Sequence, residues 1–133
     1  MARKSAAKLT QLRSWIREFR RYFSVNGKHR ICCKVATLDA QRGDSCRDGI
    51  EDCYGLCDVA RGARHATITL DPLAWGSTSG PYFYALHEFI HALLAFRAGI
   101  EKVDEEEIAV DLLTRIYAPQ VAEPEFYGRP LPR

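Results

Sequence analysis

An α+β domain is predicted for this chain, on three observations. Apolar residues recur every three or four positions over the first two dozen residues, three short strand-like runs follow between polar turns, and two further helical patterns complete the order. At 133 residues the chain fits one domain with a core of its own, expected over 1–118, with 119–133 as a tail marked by Pro124, Pro130 and Pro132.

Each element has its own signal. From Ser5 to Phe23, the residues Leu9, Leu12, Trp15, Ile16, Phe19, Tyr22 and Phe23 form one stripe of an amphipathic scaffold helix, and Asn26-Gly27 supplies a stop. Arg30 to Leu38 reads as a strand and Asp39 to Asp52 as a polar loop. Tyr54 to Val59 and Ala66 to Leu70 read as two further strands joined by a turn at Gly62, the second ended by Asp71-Pro72. Ser77-Thr78-Ser79-Gly80-Pro81 has the form of a helix cap with proline in the first turn. The helix it opens is closed by Gly99, and a last helix runs from about Asp104 to Tyr117, stopped by Pro119.

Charge and cysteine usage narrow the class. The net charge is +2, but Arg3, Lys4, Lys8, Arg13, Arg17, Arg20, Arg21, Lys28, Arg30 and Lys34 crowd the start of the chain. A basic face can track phosphates, yet on an amphipathic helix it is first of all the solvated side, so nucleic-acid contact is the weaker reading. No continuous apolar stretch precedes the charged start, and the most apolar run, Pro81 to Leu94, is interrupted by His87, Glu88 and His91. A cytoplasmic protein without a membrane span is therefore expected. Five cysteines, Cys32, Cys33, Cys46, Cys53 and Cys57, are an odd set without an export signal, which predicts reduced thiols.

The chemistry is concentrated in His87-Glu88-Phe89-Ile90-His91. On a helix this H-E-x-x-H pentad sets two imidazoles one turn apart on one face, where a single tetrahedral zinc ion can bridge them. Glu88 follows the first ligand and can act as a base on zinc-bound water without ligating. Tyr84 to Leu86 and Ala92 to Leu94 flank the pentad with uncharged residues, and polar groups placed in apolar surroundings require partners. A catalytic site takes three protein ligands and leaves the fourth position open. No His follows His91, and Leu94 and Arg97 occupy the Gly and His positions of the longer H-E-x-x-H-x-x-G-x-x-H form, so the third ligand is sought among downstream carboxylates. Glu107 is the first choice and Glu106 the next, with Glu101 and Glu105 behind them. Asp111 lies one turn beyond Glu107, where it can orient a ligand histidine. Asp104 and Glu107 also have the spacing of a capping box, but that does not account for Asp111 among Ile108, Ala109, Val110, Leu112 and Leu113.

His87-Glu88-Phe89-Ile90-His91 followed by Glu107-Ile108-Ala109-Val110-Asp111 resembles the zincin metallopeptidases of the gluzincin type, in particular the minimal domains of ImmA/IrrE-type and phage-encoded metallopeptidases. The stretch between His91 and Glu107 is shorter than in larger gluzincins, and Ala109 stands where ImmA/IrrE-type proteins often carry Asn. The resemblance implies a small three- to four-stranded mixed sheet packed on helices, one catalytic zinc ion and hydrolysis of peptide bonds. His87, His91 and Glu107 are then the metal ligands, Glu88 the base, and Asp111 a residue behind the ligands. His65, Tyr54 and Tyr117 are candidates for the donor that stabilises the oxyanion. An extended peptide substrate could add to a sheet edge offered by Ala66 to Leu70 or by Tyr54 to Val59. A second, structural zinc at Cys46, Cys53 and Cys57, with Cys33 or His65, is disfavoured because no Cys-x-x-Cys pair is present. The alternative from another class is an inactive regulatory or binding module that uses the basic first helix for a nucleic-acid or protein partner.

Overall fold

The apolar stripe at the start of the chain winds into helix α1, Ala2–Tyr22, in a computed structural model that describes residues 2–25, 27–38, 54–60, 64–98, 110 and 112–118. Leu12, Ile16 and Phe19 are buried while Arg13, Arg17 and Arg21 are exposed, so the helical period becomes one core face and one solvated face. Each of the three buried side chains contributes on the order of 1.5–3 kcal/mol by leaving water. The helix ends before the Asn26-Gly27 stop that the sequence suggests. Ser24 adopts a left-handed conformation, φ 54, while the Val25 amide donates to the Arg20 carbonyl at 2.9 Å and the Ser24 amide to that of Arg21 at 3.3 Å. This is a Schellman closure, which requires a left-handed residue just past the last turn and here uses serine.

Three strands, β1 (Arg30–Val35), β2 (Gly55–Val59) and β3 (His65–Leu70), form a mixed sheet of order β1-β3-β2. β1 runs parallel to β3 with Arg30 opposite His65; β2 runs antiparallel to it with Gly55 opposite Leu70. The architecture is α+β, as expected. Alternation along the strands turns Cys57, Ala66, Ile68 and Leu70 into the core with Leu12, Ile16 and Phe19. Arg30, Cys32, Lys34, His65 and Asp58 lie on the other face and are exposed.

Two expectations are corrected by this topology. β1 stops at Val35 rather than Leu38: the Ala36 amide makes a last bond to the Leu70 carbonyl at 3.0 Å, and β3 offers no further ladder because Pro72 follows. Ala66 to Leu70 is the central strand, hydrogen-bonded on both sides, and so offers no edge to an added peptide. That role is left to β2.

Asp71 holds these ends together. Its buried carboxylate accepts from the Leu38 amide at 3.0 Å and the Leu73 amide at 2.9 Å, and its own amide donates to the Tyr54 carbonyl at 2.9 Å. With Pro72 it starts a short 3-10 helix, Pro72–Gly76, which the sequence did not suggest. Trp75 from that helix stacks on Trp15 at 6.3 Å and donates from Nε1 to Gln11 Oε1 at 2.7 Å.

Helix α2, Pro81–Ala98, is the pillar of the core. Tyr82, Ala85, Leu86, Phe89, Ile90, Ala92 and Ala95 are all buried, and Phe19 of α1 packs edge-on against both Tyr82 and Phe89. At its far end, the Arg97 guanidinium donates to the carbonyls of Phe23 and Ser24, placing a cation on the C-terminus of α1. Residues 110 and 112–118 are helical, in agreement with the last helix expected, and Val110, Thr114 and Ala118 form its buried stripe. Among the described residues no helix is long and apolar enough to cross a membrane. The tail 119–133 lies outside the described residues.

Candidate metal centre

The site is built on the second and third turns of α2. Gly80, in a left-handed conformation with φ 85, turns the chain into Pro81, whose missing N–H costs nothing in the first turn of a helix. The Gly80 amide donates to Ser77 Oγ at 3.1 Å, and Ser77 Oγ in turn donates to the Ala74 carbonyl at 2.7 Å. The helix is thus anchored at its start, and its register fixes where His87, Glu88 and His91 emerge.

His87 and His91 project side by side, with ring centroids 5.1 Å apart and planes at 70°. His91 is 3 % exposed and His87 half-buried. Glu88 is 4 % exposed, and its Oε1 has no hydrogen-bond partner among the described residues. A buried carboxylate in that state is costly by several kcal/mol, so a partner is required of it.

Gly55 on β2 is what lets the sheet close on this residue. A Cβ built at position 55 would lie 2.9 Å from Glu88 Cγ, 2.9 Å from Glu88 Oε2 and 3.1 Å from Leu70 Cδ2. The bare backbone of the antiparallel edge strand therefore rests against the carboxylate. Sequence reading did not single out Gly55, although an isolated glycine in a strand is a known mark of close approach.

The remaining expected residues are placed as follows. Tyr54, at the entry to β2, packs edge-on against Tyr84 at 5.2 Å, one turn before Glu88, and so stays beside the site. His65 does not. It stands five residues along β3 from Leu70, the partner of Gly55, a separation of roughly 17 Å at the usual rise of a strand, and its Nε2 lies 3.2 Å from Cys32 Sγ. Tyr117 stands among the aromatic side chains at the end of α1. It packs edge-on against Phe23 at 5.2 Å and Tyr22 at 6.4 Å, and with Ile90, Leu93 and Leu94 it lines an apolar cavity of about 230 Å³.

No match is found for the chain among protein-family models, curated proteins or solved structures. Its own donor set is therefore the guide. Among the described residues no group of three or more His, Cys, Asp or Glu gathers to hold a metal. Glu107, Glu106 and Asp111 lie outside the described residues, as do Glu101, Glu105, Cys46 and Cys53. The described part of the last helix does approach the histidine-bearing helix: the Arg115 guanidinium lies over the Phe83 ring at 5.6 Å, and Phe83 neighbours His87 at 6.4 Å.

The other cysteines and the basic helix serve elsewhere. Cys57 is 7 % exposed in the hydrophobic core, on the opposite face of the sheet from His65, so those two side chains do not share a metal. Burial pushes the Cys33 thiol up to about 11, against a lowering influence of Arg13. On α1, Lys8 sits 5.7 Å over the Trp75 ring and Arg20 donates to the His29 carbonyl at 2.8 Å. Two of its basic residues are thus engaged within the fold.

Proposed function

We propose that this protein is a zinc-dependent metallopeptidase, a small zincin of the gluzincin type. The observation that carries the reading is the conjunction of two neighbouring imidazoles, 5.1 Å apart, with a buried carboxylate on the intervening turn whose Oε1 is unmatched among the described residues. Two neutral nitrogens and a nearby acid that does not ligate suit a catalytic zinc site.

In this reading His87 and His91 hold the ion together with Glu107, and Asp111 orients a ligand imidazole. When bound, zinc supplies Lewis acidity that acidifies water and polarises a carbonyl. Glu88 accepts the proton of the attacking water at Oε1 and returns it to the leaving amine. Its position against Gly55 fixes the carboxylate before substrate arrives, so little reorganisation is needed at the moment of reaction. β2, at the edge of the sheet and beside Glu88, takes an extended peptide by main-chain hydrogen bonds. Tyr54 supplies a hydroxyl near the carbonyl under attack.

Elemental analysis of the purified protein tests the reading. One zinc per chain is expected, lost on His87→Ala, while Glu88→Gln keeps the metal and loses cleavage of a peptide library. A folded protein that never takes up zinc, or a Glu88→Gln variant with undiminished cleavage, refutes it.

A further inference from the structure

The face of the sheet turned away from the helices carries a second reactive cluster. Cys32 on β1 and His65 on β3 are both exposed, and the Cys32 Sγ lies 3.2 Å from His65 Nε2. The contact joins two strands that run parallel, with Cys32 opposite Thr67 and His65 opposite Arg30. Arg30 and Lys34 project from β1 on the same face, two positions either side of Cys32. Asp58 on β2, opposite Thr67, is the acidic residue on that face among the described strand residues. A thiol is therefore held against an imidazole on a face that also carries two cations and one carboxylate.

We propose that Cys32 and His65 form a thiol modification site, separate from the histidine pair of α2, that takes a small anionic disulfide of the glutathione class. Nucleophilicity resides in the thiolate, and an adjacent imidazole is the base that produces it. His65 Nε2 takes the proton from Cys32 Sγ. The thiolate attacks one sulfur of the disulfide, the Cys32–sulfur bond forms as the old sulfur–sulfur bond breaks, and the departing thiolate recovers the proton from the imidazolium. Arg30 and Lys34 draw the carboxylates of the disulfide to the face. The two other described cysteines contrast with this one: Cys57 is buried in the core, and Cys33 points to the core side with its thiol pushed up to about 11.

The intact native protein incubated with oxidised glutathione, followed by peptide mapping in a mass spectrometer, tests the proposal without reference to zinc. The mixed disulfide is expected on Cys32 ahead of Cys33 and Cys57. His65→Asn, at an exposed strand end, should slow its formation at neutral pH by at least about tenfold, and the two rates should converge in alkaline buffer where the thiolate forms unaided. Added salt should slow the reaction, and the cationic disulfide cystamine should react more slowly than oxidised glutathione. Equal rates for the wild-type and His65→Asn proteins, modification of Cys33 or Cys57 ahead of Cys32, or faster reaction with cystamine overturns it.

Discussion

Replacing Gly55 by alanine isolates the contact between the edge strand and the proposed base. The added Cβ would meet Glu88 Cγ and Oε2 at 2.9 Å and Leu70 Cδ2 at 3.1 Å, all inside ordinary van der Waals separation. Relief requires a shift of several tenths of an ångström in buried neighbours, and overpacking of this kind costs about 1–3 kcal/mol. Alanine recovers roughly 0.5–1 kcal/mol of backbone entropy relative to glycine in a strand, so the clash wins. A net loss of about 1–2 kcal/mol corresponds to a fall in Tm of roughly 3–10 °C for a domain of this size. The displaced carboxylate should lower kcat by up to about 100-fold with zinc content unchanged. Calorimetry, metal analysis and peptide-cleavage kinetics on Gly55→Ala read all three effects. A double-mutant cycle with Glu88→Ala assigns the cause, because the alanine at 55 should cost less once the Glu88 side chain is gone. If Gly55→Ala melts and cleaves like the parent, or if its cost is unchanged in the Glu88→Ala background, the close approach does not position the carboxylate.

Three further outcomes follow from the same geometry. Ser24→Gly should stabilise the fold by about 0.5–1 kcal/mol, because φ 54 is a left-handed conformation that glycine adopts without a Cβ penalty; a chemical denaturation curve with an unchanged midpoint refutes this. Asp71→Ala should destabilise by about 1–3 kcal/mol, since it strands the buried amide of Leu38 and removes the acceptor of the part-buried amide of Leu73, and hydrogen exchange at those two amides should quicken in the native state. Cys33 has its thiol raised from 9.0 to about 11 by burial, so the unfolded chain ionises first; its contribution is complete below pH 9 and drains away as pH rises toward 11. Stability measured against pH should therefore fall less steeply in that window for Cys33→Ala.

The helices were legible in the sequence because their signals are local. The spacing of Leu12, Ile16 and Phe19 dictates α1, and the pentad from His87 to His91 dictates which side chains share a face of α2. What could not be read is whatever depends on partners distant in the chain. Ala66 to Leu70 reads as a strand under either topology, and only the pairing with both β1 and β2 shows that it is central. His65 was a reasonable donor as a residue type, but its distance from Glu88 is set by register, which composition does not encode. The same holds for Gly55, an ordinary strand glycine until the α2 carboxylate lies against it, and for Asp71, a strand breaker that also ties Leu38 and Tyr54 to one point. Ser24 displaced the Asn26-Gly27 stop because a Schellman turn is decided by where the last helical carbonyls fall, and the serine stood there first.

The placement of β3 between its two neighbours gives assembly a direction. Val59 pairs with Ala66, 7 positions on, whereas Arg30 pairs with His65 across 35 positions. Closing the longer loop costs about 1.4 kcal/mol more in chain entropy than closing the shorter one. The β2–β3 hairpin is thus the inexpensive nucleus and β1 the late recruit. Until β1 arrives, Ala66, Ile68 and Leu70 line a strand whose free flank is a template for another chain, and N-terminal truncations that remove β1 would expose this same seam to self-association.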